Sequence, residues 1–498
     1  MARGVHVRSE GQGYLFEPRF NRAVKVKRAD DRVTSNGGAL LLREVDHALS
    51  LLADLAGRLR DPRRQEAIRY SLVELLRARV FALSLGYRAQ DDMDLLAHDP
   101  AMKAAVWDRP GDRVAGERLS SQPTQSRLLG ILAGVPGNLE VLRDFLPEGV
   151  LRHQRASGSD RAVMHGTVDV DGFPVAVCGD QEGGGYNGYH QKTEYYPLLA
   201  SFSPEGDYGH SRLGQGVVHA ILRKGRAASD EGALRFIRKA VKKARRLARR
   251  LDVRMDAAFT SGKVMDPLTE DGILFIGRLK SNAVLDEKAV PHLKRPVGRP
   301  PGEGYEKVVD LGWHQAASWR HAQRLILVVV DKPEKNGQLK LEPDYFFLVT
   351  NREEDAEWLL EHYRARGTFE DRLGEFNAAI GVHLSSGGFE ENEAMLLLGL
   401  LAFNLVGVLR CEMEDPGANG WDLKRLQTSV LKAGARMARG SQRLTFYLAA
   451  AVAPLWDSLV WRISQWRWPA RWGRPARPKP RPWVAPPAHA HLCAVLRV

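Results

Sequence analysis

The chain has 498 residues, with 73 Lys and Arg against 60 Asp and Glu, and a formal net charge of +13. That length predicts roughly two to four domains, and 44% hydrophobic residues exclude wholesale disorder. The three cysteines, Cys178, Cys411 and Cys493, lie far apart, which excludes a disulfide scaffold or a cysteine zinc cluster and fits a reducing cytosol. The opening MARGVHVRSEGQGYLF lacks the apolar core of a signal peptide. No apolar stretch reaches the length of a membrane span, about 20 residues. The longest run, Ala394 to Leu409 with Asn404 inside it, predicts a buried core helix. The basic excess predicts a polyanionic partner, most simply nucleic acid, with ordinary solubility charge as the alternative.

Residues 1–36 read as an extended basic arm. After Asn36-Gly37-Gly38, apolar residues recur at helical spacing, which predicts a helical domain over 37–150. The texture changes near residue 160. AVMHGTVDVDGFPVAV has the β-branched content of a buried strand, and a glycine-rich turn, GGGYNGYH, follows it. Two further strands, a basic helix from about Asp230 to Leu251 and the strand VRMDAAF complete an α/β pattern over 151–261. Residues 262–354 read as β-rich. A second α/β part with C-terminal helices is expected over 355–460, and a Trp/Arg/Pro-rich tail over 461–498.

Several side chains could carry chemistry. Asp169 and Asp171 lie two apart on a strand, so both face one side. Carboxylates on an apolar strand are costly to bury without a cation; a salt-bridged strand end is the structural alternative. Asp256 ends the strand after the basic helix, where α/β folds gather ligand sites; a turn former is the alternative. Tyr363, Arg366 and Glu370 share one helical face by their spacing, as a solvated face also would. Two Asp and one Glu from separate elements suit Mg²⁺. Two such ions can serve both oxygens of a phosphodiester under cleavage. Arg238, Lys242, Arg245 and Arg249 on the basic helix could line a phosphate path, or be a solvated outer face. Arg299, in KRPVGRPPGEG, could enter an A·T-rich minor groove, or sit in a plain surface loop.

At these residues the chain resembles bacterial insertion-sequence transposases of the DDE type, most closely the 1380 family. SNGGALLLREVD, YRAQDDMDLLAHDPAMK, RLSSQPTQSRL, TVDVDGF, YNGYHQKTEYYPLL, VRMDAAF, YRARGTFEDRLGEFN and AMLLLGLLAFNLVGVLR carry the resemblance in order, from Thr34 to about Arg410. It implies an α/β fold: an RNase H-like catalytic core, interrupted by a β-rich insertion and preceded by a helical DNA-binding domain. Asp171, Asp256 and Glu370 would be the catalytic, metal-binding acids, with Asp169 as a rival or added ligand. Tyr363 and Arg366 would contact DNA. Two Mg²⁺ ions are implied, with Mn²⁺ able to substitute. Double-stranded DNA is the implied partner, both element ends and target, bound by a homodimer in the DNA complex; the expected location is the bacterial cytoplasm, associated with the nucleoid, and no membrane partner is expected. The implied activity is binding of terminal inverted repeats, Mg-dependent DNA cleavage and joining of the 3′-hydroxyl to target DNA. A non-catalytic DNA-binding protein derived from such an element is the alternative. Asn377 stands where related signatures often carry Lys, and Phe173, Ala257 and Ala258 also depart from the pattern.

Overall fold

The computed structural model describes Phe20 and residues 32–467, apart from 110, 116, 158–162, 178, 189–190, 205–214, 229, 296–303, 334–339, 341, 414–419 and 441–442. Arg299 and the hook around it, the arm before Arg32 apart from Phe20, and the tail beyond Arg467 therefore lie outside the described residues.

The chain enters on β1 (Arg32–Thr34) and passes into eight helices: α1 (Ala39–Leu49), α2 (Leu51–Arg58), α3 (Leu72–Ser84), α4 (Asp92–Leu96), α5 (Pro100–Val106), α6 (Gln122–Gly134), α7 (Asn138–Phe145) and α8 (Glu148–Ala156). Local signals set their ends. Ser71 and Glu74 form a reciprocal capping box on α3. Asp99 caps α5 through the Met102 amide, with Pro100 in the first turn. The other oxygen of Asp99 accepts from Thr34 Oγ1 at 2.6 Å and from Asn36 Nδ2 at 3.0 Å. The last residues of the expected arm are thus built into the fold.

The central sheet follows. Its strands are β2 (Val163–Gly172), β6 (Leu198–Pro204), β7 (Gly216–Ile221), β8 (Ala248–Met255), β9 (Leu274–Leu279), β10 (Tyr305–His314), β11 (Gln323–Asp331) and β12 (Asp344–Thr350). Their order across the sheet is β10-β11-β12-β9-β8-β2-β6-β7. β2, β8 and β9 run parallel, and the other pairings are antiparallel. A small sheet of β3 (Val175–Ala176), β4 (Gly185–Asn187) and β5 (Lys192–Tyr195) stands just after β2. The β-rich stretch expected as a separate insertion instead extends the central sheet. β12 pairs with β9 edge to edge, so ladder hydrogen bonding continues without a gap.

The helices around the sheet are α9 (Ala233–Ala244), α10 (Gly262–Glu270), α11 (Ala283–Ala289), α12 (Ala356–Arg364), α13 (Gly367–Glu375) and α14 (Phe389–Cys411). β13 (Ala435–Arg439) pairs with β1 and with β14 (Leu444–Leu448). The basic helix is shorter than expected. It stops at Ala244, the chain turns through Arg245 to Leu247, and β8 starts at Ala248. Arg249 therefore lies on a strand, and Arg245 caps the helix. The buried Leu247 and Ala248 lie in the core that α9 shares with the sheet, and Ala248 pairs with Val163 of β2.

α14 is apolar all round because it is surrounded. It is long and apolar enough to cross a membrane, yet most of it is buried inside the protein. α3, α6, α7, α8 and β7 pack against it. One continuous core runs from Ala39 through α14 to Trp466. The expected helical domain at 37–150 accordingly has no core of its own. Asn404 shows why one polar residue interrupts this helix. Its Oδ1 accepts from the Val217 amide, and its Nδ2 donates to the Leu146 and Val217 carbonyls, each at 2.9 Å. That satisfies the backbone of edge strand β7. The closing helix, Ala453–Gln465, also corrects the tail boundary at 461. Trp461 is exposed on it, and Trp466 is buried beside His153.

Candidate active site

The two faces of the central strands differ in kind. Val168 and Val170 of β2, with Val253 and Met255 of β8, face the core beneath α9 and α10. The alternate residues, Thr167, Asp169 and Asp171 of β2 and Asp252 and Arg254 of β8, face the other way. Parallel register sets Thr167 beside Asp252 and Asp169 beside Arg254. The next step along both strands brings Asp171 and Asp256 to the same end.

Most of this polar layer is closed. Thr167 donates to Asp252 Oδ1 at 2.9 Å, and His362 Nε2 stands 2.6 Å from Asp252 Oδ2. Arg352 adds an ion pair to Asp252 at 3.0 Å. Burial pushes the Asp252 carboxyl up, but His362, Arg352 and Arg254 outweigh it and hold it below the usual range. Arg254 grips Asp169 with two hydrogen bonds, 2.7 and 2.8 Å, and donates a third to the His362 carbonyl. Arg372 of α13 reaches Ser201 and Ser203 of β6. Asp169 is fully buried with an oxygen given to each Arg254 contact. It shares a face with Asp171, as alternation requires. Arg254 already neutralises it, so both of its oxygens are occupied by a buried ion pair.

The layer opens at Asp171. Its Oδ1 accepts from the Gly172 amide at 2.8 Å, and its Oδ2 from Arg366 Nη2 at 2.5 Å. Gly172 is required there. A Cβ would lie 2.5 Å from the Tyr196 ring. Arg366 also donates through Nη1 to Glu370 at 2.5 Å. Arg366 is buried, whereas the Glu370 side chain is 61% exposed, so only one end of this bridge meets solvent. Tyr363 and Glu370 do not share one unbroken helix. α12 ends at Arg364 and α13 begins at Gly367, with Arg366 at the junction.

Electrostatics places Asp256 in the same cluster. Burial raises the Asp171 carboxyl; Arg366 and the Gly172 amide pull it back, and the Asp256 and Glu370 carboxylates push it up again, to about 6. Burial lowers Arg366, but Asp171, Tyr363, Asp256 and Glu370 outweigh it and hold the guanidinium above its usual value. Burial raises Tyr363, which also feels Arg366, Asp256, Arg278 and Glu370. Asp256 itself sits just past β8, its Oδ1 accepting from the Ala257 amide. Two carboxylates, from β2 and α13, thus flank one guanidinium, and Asp256 in the loop after β8 acts on it electrostatically. As they stand, no three His, Cys, Asp or Glu side chains among the described residues are grouped to hold a metal ion, since Arg366 stands between two of the carboxylates. The donor chemistry fits a hard divalent cation: oxygen ligands only, and repulsion that one arginine does not fully offset.

A family model, Transposase DDE domain group 1, matches residues 16–466. The chain belongs to this transposase family. Membership implies a DNA-cleaving enzyme in general, of a kind that generally uses divalent metal ions. Among solved structures, one similar chain is the piggyBac transposase in a cryo-EM synaptic complex with hairpin DNA. Identity is 12%, 78% of each chain is covered, and the TM-score is 0.38, too low to carry any residue across. No curated protein matches the chain.

The remaining expected DNA contacts of this transposase-family chain fall elsewhere. Arg238 is ion-paired with Asp271, and Lys242 is exposed on α9. Arg245 and Arg249 are exposed beyond the end of α9. All four belong to the face of the sheet opposite Asp171. Sequence reading missed the closed layer of Asp252, Arg254, His362 and Arg372, and also Arg278. The signal was present: Asp252, Arg254 and Asp256 alternate along β8 just as Thr167, Asp169 and Asp171 do along β2.

Proposed function

We propose that this chain is an active DDE transposase of an insertion sequence of the 1380 type. It binds the terminal inverted repeats of its element, cleaves the DNA phosphodiester and joins the freed 3′-hydroxyl to target DNA. The observation that carries this reading is the Arg366 bridge between Asp171 and Glu370, with Asp256 in electrostatic reach. The strand order β7-β6-β2-β8-β9, antiparallel then parallel about β2, supports an RNase H-like core with Asp171 on its central strand.

In this reading Asp171, Asp256 and Glu370 are the catalytic acids. Mg²⁺, expected as two ions with Mn²⁺ able to substitute, would be held by these carboxylates and would polarise the phosphate and activate water. Arg366 positions two of the acids and offsets their charge. Tyr363 and Arg278 stand beside them and would meet the DNA backbone. Asp169 and Arg254 lock β2 to β8 behind the acids, fixing the register that sets Asp171 near Asp256. Two copies would hold the two element ends. The test is incubation of the purified protein with its flanking DNA and Mg²⁺, scoring excision and 3′-end joining. DNA left intact under conditions where the end sequence is bound would reject the enzyme and leave a DNA-binding protein.

A further inference from the structure

α9 and the first turn of α10 line an open cleft of about 510 Å³ on the side of the sheet away from Asp171. Five cations line it, Arg235, Arg238, Lys239, Lys242 and Lys263, against one acid, Asp230. Two of the five are committed: Arg238 to Asp271 at 2.5 Å and Lys239 to Glu140 at 2.7 Å. Arg235, Lys242 and Lys263 are exposed and make no ion pair among the described residues. Like charges gathered without counterions raise the energy of the free protein and await an anion.

The place of the cleft follows from the topology. The tight turn through Arg245 to Leu247 folds α9 back along β8, so α9 begins at the end where β8 finishes. α10 starts only a few residues after Asp256, at that same end. The cleft and the carboxylate cluster therefore share one end of the sheet and differ in face. The lining sets cations among apolar Ala233, Leu234 and Val264, with no amide, hydroxyl or aromatic side chain, an arrangement that suits phosphate oxygens attracted by charge. Arg235 and Lys242 lie two helical turns apart, about 10 Å at 1.5 Å per residue. That exceeds one phosphate group and spans about three steps of a DNA strand, at ~3.4 Å of axis each.

We propose that the α9–α10 cleft binds the phosphate backbone of the DNA segment that passes over the end of the sheet beside the cut. The proposal rests on the transposase reading and adds a second, sequence-independent anchor on the opposite face from the acids. Together the two grip the duplex on both sides of the strand ends.

The experiment compares wild type with Arg235→Gln, Lys242→Gln, Lys263→Gln combined, in the full chain. Binding of duplexes carrying the element end is measured across a salt series, with the flank shortened stepwise. All three side chains are exposed, and an unchanged Tm verifies the fold. Loss of three phosphate contacts should reduce the slope of log affinity against log salt by about 2 to 3. The variant should lose affinity equally on end and unrelated sequences, and shortening the flank should weaken wild type more than variant. A wild-type salt slope overturns the proposal. So does a loss confined to the end sequence. In a separate arm with inorganic phosphate alone, a Tm rise in wild type but not in the variant, beside an unchanged DNA slope, would assign a small-anion site and overturn it too. Glu370→Gln in parallel separates the two readings. If wild type itself leaves its bound DNA uncut with Mg²⁺, the transposase reading fails; if wild type cuts and Glu370→Gln is dead while the cleft variant keeps its slope, only the cleft proposal fails.

Discussion

One guanidinium, that of Arg366, joins Asp171 to Glu370, with both contacts at 2.5 Å and Arg366 itself 195 positions from Asp171 in the chain. The bridge does two things at once. It holds α13 against the end of β2, and it offsets charge that would otherwise drive the carboxylates apart. Asp256 completes the cluster from the loop after β8.

Asp171→Asn, Asp256→Asn and Glu370→Gln should each lower DNA cleavage and 3′-end joining by at least ~10²-fold, the scale of losing one charged group from a polar active site. Binding of the end sequence should change little. Gel assays of cutting and mobility shifts on the same DNA check this. Full activity in any one of the three removes that residue from the catalytic set.

The Asp171 carboxyl, raised to about 6, makes a pH-dependent cost. Its unfolded value is about 3.9. The folded state therefore binds the proton more tightly. Stability falls as pH rises from about 4 to about 6, and the full deficit, about 3 kcal/mol, remains above that window. Asp171→Asn should then raise Tm at pH 8 in metal-free buffer more than at pH 4, with a reduced net gain because Arg366 loses a partner. Adding Mg²⁺ should stabilise wild type and not the variant. Equal shifts at both pH values would contradict the assignment.

Asp169→Asn should act through the fold. Arg254 would keep its buried charge and lose its carboxylate, a loss of about 3–5 kcal/mol for a broken buried pair. Denaturant unfolding should show that loss at any metal concentration. If Asp169→Asn is instead as stable as wild type and inactive, Asp169 is a ligand after all.

His219 offers a pH test on the face of the sheet opposite the acids, where its ring stacks on Phe236 of α9. Burial, then Lys243, pushes its imidazole down to about 2, and Lys243 Nζ donates to its Nδ1 at 2.9 Å. The unfolded chain takes up a proton near pH 6.5 and the folded chain does not. Stability is complete above that pH and falls below it by about 1.4 kcal/mol per unit. His219→Gln, which stays neutral and can accept from Lys243, should flatten Tm against pH between 6.5 and 4.5. An unchanged profile would show that another group sets the acid limb.

Deleting residues 1–150 should not leave a folded remainder, because it strips α14 of α3, α6 and α7. Circular dichroism and soluble yield measure that outcome. DNA recognition by this region is better tested with Arg118→Gln and Arg127→Gln, two exposed cations on either side of the Ser-Gln-Pro-Thr turn that opens α6. These should weaken binding of the end sequence severalfold without altering Tm. A cooperative, folded 151–498 fragment would restore the helical segment as an independent domain.

Much of the local structure was written in the sequence. Helical spacing and the β-branched strands are short-range properties, fixed by side-chain periodicity and backbone hydrogen bonding. Alternation alone placed Asp169 and Asp171 on one face, and the 16-residue apolar run announced a helix buried on all sides. What alternation could not supply was the partner of each carboxylate. Arg254 and Arg366 come from distant segments, and only the parallel register of β2 on β8 and the seating of α13 decide that Asp169 is neutralised while Asp171 is left near Asp256 and Glu370. Domain limits failed for the same reason. Composition shifts mark where the chain changes texture, whereas burial decides what shares a core, and burial joined 37–150 to α14 and β12 to β9. The basic stretch, read as one helix, was divided because Leu247 and Ala248 are held by the sheet, a long-range contact that outweighs local helical preference.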